Sequence, residues 1–100
     1  MEYQMVNARE FYSKFGVGVC VIRDGKILET YLLGEDEIQK IEKISSVITT
    51  FPKDFDTGVI DFGENIRFGV FRVGETFLVF PVRTDNIAEI VRKREVIDAT

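Results

Sequence analysis

Apolar and polar positions alternate along this chain in ways that mark out eight elements. Met1, Met5, Ala8, Tyr12 and Phe15 recur at intervals of three and four, with Asn7, Arg9 and Glu10 between them, so the spacing predicts a helix with one apolar stripe. Gly16 stands where a left-handed residue would close it. Val17 to Arg23 is apolar at odd and even positions alike, as expected of a strand with a helix over each face. Asp24-Gly25 predicts a tight turn with positive φ at both residues, and Lys26 to Leu32 is the less buried return strand.

The next stretch changes period. Ile38, Ile41, Ile44, Ile48 and Phe51 share one helical face, with Lys40, Glu42, Lys43, Ser46 and Thr50 elsewhere around it. Glu35-Asp36-Glu37 sits at its start, where carboxylates favour the free backbone N–H groups, and Pro52 is expected to stop it. Three strands follow: Asp56 to Phe62, then Ile66 to Val73 after the turn Gly63-Glu64-Asn65, then Thr76 to Val82 after Gly74-Glu75. Phe77-Leu78-Val79-Phe80 is apolar on both faces, so the last strand should be central, with Pro81 marking where its pairing ends. A closing helix is expected from Thr84-Asp85-Asn86, with Asn86 and Glu89 spaced as a capping box and Ile87, Ile90 and Val91 inward, running towards Ile97. The expected class is α+β, in one domain spanning residues 1–100.

Composition narrows the chemistry. There is no histidine, which removes the commonest general base and most catalytic zinc sites. The single Cys20 lies in the apolar run 17–22, where a thiol behaves as a small buried hydrophobe, and it can form no disulfide within the chain. Gly16-Val17-Gly18 begins like a dinucleotide fingerprint but precedes a strand, where the fingerprint must open a helix. Asp54-Phe55-Asp56-Thr57-Gly58 lacks the glycine position and the final carboxylate of a calcium loop. Ser13, Ser45 and Ser46 have no nucleophile-elbow glycines. No catalytic residue, cofactor site or metal site is therefore expected, and an enzyme is not. A net charge of −4 weighs against nucleic acid, and Arg92-Lys93-Arg94 reads as a solvated helix end. No membrane span and no signal peptide are evident, so the cytoplasm is the expected location.

Residues 15–27, Phe15-Gly16-Val17-Gly18-Val19-Cys20-Val21-Ile22-Arg23-Asp24-Gly25-Lys26-Ile27, resemble the first helix end, first strand and Asp-Gly turn of the roadblock family. That family comprises relatives of the roadblock-type dynein light chain, built on a longin- and profilin-like plan. The Ile38 to Phe51 helix and the hairpin Ile66 to Val82 extend the likeness over nearly the whole chain. The resemblance implies a five-stranded antiparallel sheet in the order 2-1-5-4-3. The central helix would cover one face and the two terminal helices the other. It also implies a dimer, and a scaffolding or regulatory role towards a small Ras-like GTPase.

In that arrangement the third strand is an edge. From Thr57 to Phe62 it carries no lysine, proline or evident bulge to blunt it, so a homodimer is expected through Thr57, Val59, Ile60 and Phe62. The central helices would pass side by side at Ser46 and Val47. Proline at Ile60 is then expected to remove an edge hydrogen bond. A monomer whose edge is covered by the loop from Phe51 to Phe55 is the competing arrangement. The competing function is a small-molecule sensor of PAS or profilin-like type, against which stands the single helix that fits between Gly34 and Pro52.

Overall fold

A computed structural model describes residues 8–63 and 66–82, with Ala88 and Arg92 beyond them. Its elements are α1 (Ala8–Phe15), β1 (Val19–Arg23), β2 (Lys26–Tyr31), α2 (Glu35–Ile48), β3 (Thr57–Gly63), β4 (Ile66–Val73) and β5 (Thr76–Pro81). The five strands form one antiparallel sheet in the order β2-β1-β5-β4-β3, as expected. Ala88 and Arg92 are helical. The rest of the expected closing helix, the first turns of the N-terminal one and the Glu64-Asn65 turn lie outside the described residues.

The two faces carry separate cores. On one, Ala8, Phe11 and Phe15 of α1 pack against Val19, Val21, Phe71, Leu78 and Phe80. On the other, Ile41 and Ile48 of α2 pack against Cys20, Ile22, Phe68, Val70, Phe77 and Val79. β1, β4 and β5 therefore supply buried side chains to both faces, which is why their sequences carry apolar residues at successive positions.

Several boundaries differ from expectation for identifiable reasons. The buried stripe of α1 runs through Phe11, whose ring stacks on Phe15 at 4.4 Å between centroids. Tyr12 instead stays 40% exposed, at the rim against Tyr31. Phe11 has no polar atom to satisfy, whereas Tyr12 keeps its hydroxyl near water. β1 begins at Val19, two residues late. β2 ends at Tyr31 because Leu32 turns to a φ of 55°. α2 stops at Ile48, before Pro52. The Thr49 and Thr50 hydroxyls donate to the carbonyls of Ser46 and Val47, both at 2.7 Å, and so satisfy the last turn themselves. Phe51 consequently belongs to the loop and not to the helix.

The expected signals hold at the first hairpin and at the start of α2. Asp24 and Gly25 have φ of 55° and 77°. Glu35, Asp36 and Glu37 occupy the first turn of α2, and the Glu37 carboxylate accepts the Gly34 N–H at 2.8 Å. Pro81 fits because of phase. Val82 N–H donates to the Arg67 carbonyl, so Phe80 and Val82 face β4 while Pro81 faces β1. The β1–β5 ladder has already ended at Cys20–Val79, and a missing donor there breaks nothing.

Candidate interaction edge

Among the described residues β3 ends the sheet, bonded to β4 on one side only. One hydrogen bond sets the phase of its backbone. Arg72 N–H donates to the Asp56 carbonyl at 2.9 Å, which makes Asp56–Arg72 a hydrogen-bonded pair. Gly58–Val70 and Ile60–Phe68 follow at steps of two along the same register. Thr57, Val59 and Asp61 must therefore turn their N–H and C=O groups away from β4, towards the open edge.

This phase corrects one expectation. Ile60 bonds inward to β4, so proline there would break the ladder within the chain; the edge donor belongs to Val59. Against expectation, the strand is also blunted. The register slips between Asp61 and Gly63, so Phe62 lies in a β-bulge, and the regular edge is limited to Thr57–Asp61.

Side chains alternate across this strand. Ile60 and Phe62 are half-buried on the α2 face, Phe62 meeting the Phe68 ring edge-on at 5.6 Å. Val59 lies opposite Gly69 and is 45% exposed. Ser46 and Val47 are both exposed on α2, whose backbone comes nearest to β2, β1 and β5. A Cβ at Gly25, in the β1–β2 turn, would stand 3.9 Å from Ser46 Cα. Thus Thr57, Val59, Ile60 and Phe62 are brought onto one strand, and Ser46 and Val47 are not brought beside them.

Phe55, Gly58 and Asp61 complete the edge beyond the residues expected at the joint. Phe55 lies against the face of Gly58, where an added Cβ would meet the ring at 2.8 Å. The rings of Phe55 and Phe51 also pack towards Phe77, so this loop turns its aromatic groups onto the face of the sheet. A glycine inside a strand pattern was the available signal for such a close approach. Asp61 closes the far end: its carboxylate accepts the Gly63 N–H at 2.7 Å and Arg67 Nε at 3.2 Å. The Gly63 bond first, then Arg67, hold its pKa below the ordinary 3.8. Its charge is retained at neutral pH.

Elsewhere, burial and then the nearby Glu42 carboxylate push the Cys20 thiol up to about 12, leaving it a neutral core group. An open cleft of about 300 Å³ lies between Asp24, Thr49, Phe51, Lys53, Arg72, Glu75 and Phe77. Arg72 spans its wall, donating to the carbonyls of Gly74 and Pro52 and lying 5.5 Å from the centre of the Phe77 ring. Among the described residues, no three of the Cys, Asp and Glu side chains converge as metal ligands, and no helix is long and apolar enough to cross a membrane.

No protein-family model matches the chain. It is similar to an uncharacterized protein of Archaeoglobus fulgidus, 41% identical over 87 residues, which cover 87% of this chain and 88% of the relative. The chain belongs to the same family as that archaeal protein.

Proposed function

We propose that this chain is one subunit of a non-enzymatic homodimer, a cytoplasmic scaffold or regulator of roadblock type that docks a small Ras-like GTPase. The observation that carries the dimer is the regular run of β3 from Thr57 to Asp61, beside whose outer edge no described strand lies, at the end of a sheet ordered as in that family. Its outward N–H and C=O groups are satisfied by a second strand with the same free edge. The joint is confined to β3 and the ring of Phe55, without the helix residues Ser46 and Val47. The GTPase partner follows from the resemblance in strand order and in residues 15–27.

Light scattering tests the dimer. The expected mass is near twice the 11.5 kDa of one chain at micromolar concentration. A single-chain mass at high micromolar concentration sinks it. For the partner, tagged protein should retain a small GTPase from its own cell extract, and recovery of only chaperones and abundant enzymes counts against that role.

A second reading, small-molecule sensing, draws on the aromatic-floored cleft between Phe51 and Phe77, whose volume is at the lower end of ligand sites. Stabilisation by a small-molecule panel, abolished by Phe51→Ala, would favour it.

A further inference from the structure

We infer that two copies of β3 pair antiparallel in a single register centred on Val59, so that Val59 meets its own counterpart on the twofold axis. Thr57 of each copy then faces Asp61 of the other. This rests on the homodimer reading and specifies how its two edges meet.

In an antiparallel pair, hydrogen bonds are exchanged only between residues whose main-chain groups face each other. Thr57, Val59 and Asp61 face outward, and a centre at Val59 gives each of them an outward-facing partner. A centre at Ile60 would oppose Thr57 to Gly63, which lies beyond the bulge and whose N–H already donates to Asp61. A centre at Gly58 would leave Asp61 opposite Phe55, outside the strand. A centre at Asp61 would set two ionised carboxylates directly against each other, which is destabilising.

Side chains select the same register. With Val59 on the axis, Ile60 lies opposite Gly58 of the second copy, on the α2 face. That glycine has no side chain of its own, and the Phe55 ring lies over it. Ile60 thus meets an aromatic ring rather than a clash, a favourable cross-strand combination. On the opposite face the two half-exposed Val59 side chains cover each other. Charge agrees as well: each Asp61 keeps its own Arg67 at 3.2 Å, and the two ion pairs end up at opposite ends of the joint.

The test is disulfide trapping in the full chain. Paired Cα atoms in a hydrogen-bonded antiparallel pair are about 5.5 Å apart, inside the roughly 4.4–6.8 Å range a disulfide spans. Cys20 is fully buried and does not compete. Under mild oxidation Val59→Cys should convert to a covalent dimer. Thr57→Cys and Asp61→Cys should each fail to link alone and should link when mixed. Val47→Cys, exposed on α2, should stay unlinked at the same concentration. Self-linking of Asp61→Cys or Thr57→Cys, with Val59→Cys unlinked, would overturn the register while leaving the dimer standing. A dimeric mass with no link at any β3 position would overturn both the register and the edge reading. A monomeric wild type removes the basis of both. Because Val59 is half-exposed and makes no inward hydrogen bond, its cysteine variant should keep the wild-type circular dichroism, and the mixed pair gives an independent reading.

Discussion

At the scale of single residues, the glycines carry information that apolar periodicity misses. Gly69 is buried in β4, and an added Cβ would stand 2.5 and 2.6 Å from two atoms of the Phe80 ring and 3.1 Å from Val82. Phe80 cannot yield, because it is 1% exposed and wedged between the rings of Phe11 and Phe71. Gly69→Ala should therefore cost about 1–3 kcal/mol, as overpacking of a filled core does. Gly58→Ala meets the Phe55 ring at 2.8 Å, but that ring is half-buried on a loop and can move aside. Urea denaturation should show the larger loss at Gly69, and an equal or larger loss at Gly58 would contradict this account of which ring is held. Gly18 belongs with these residues. An added Cβ would fall 2.7 Å from the Tyr31 carbonyl, so its place beside Gly16 reflects a close backbone approach where the spacing resembled a nucleotide-binding turn. Such contacts join residues distant in sequence, and a pattern read along the chain does not contain them.

At the scale of elements, what was legible depended on how local the cause was. The bounds of β4, Ile66–Val73, are those that the turn signals in the sequence predict. The Asp24-Gly25 turn and the acidic start of α2 are equally local. The end of α2 was misplaced because Phe51 continues the apolar period, while Thr49 and Thr50 supply a competing set of hydrogen bonds that periodicity does not register. The edge position of β3 was read through family resemblance, since strand order is a property of the whole sheet. Its phase could not be read at all, because alternation in the sequence shows which side chains share a face, not which carbonyls point outward. That phase separates two proline substitutions. Val59→Pro removes only an outward donor, so the chain should stay folded and shift from dimer to monomer. Ile60→Pro removes the donor to β4 and leaves the Phe68 carbonyl unpaired beneath the core, a loss of about 1–3 kcal/mol before any strain. Circular dichroism melts with light scattering on both variants distinguish them. If Ile60→Pro dissociates the dimer without loss of stability and Val59→Pro does not, the assignment of inward and outward groups is wrong.

At the scale of the whole molecule, the edge and the thin margin of a small domain become one problem. A chain of 100 residues buries only about 60–65% of the surface its unfolded form exposes. Here the sheet is closed over on both faces by aromatic and aliphatic cores, yet it ends in a strand whose Val59 is 45% exposed and whose outer backbone groups have no described strand beside them. A second copy that binds only the folded chain stabilises it by mass action, because unfolding must first separate the pair. The melting temperature should therefore rise with protein concentration, each tenfold increase adding about 1.4 kcal/mol per dimer where association is complete. Shared between the two chains that unfold, this is about 0.7 kcal/mol per chain, and for a domain of this size 1 kcal/mol corresponds to a shift of about 4–8 °C. Val59→Pro should abolish the dependence and melt at one temperature throughout, with wild type approaching it on dilution. The measurement is a thermal scan from low to high micromolar concentration, read beside light scattering at the same points. A wild-type melting temperature that does not move over that range, in samples that scatter as a dimer, would mean the joint forms between unfolded or partly folded chains as readily as between folded ones, which an edge built from β3 does not allow.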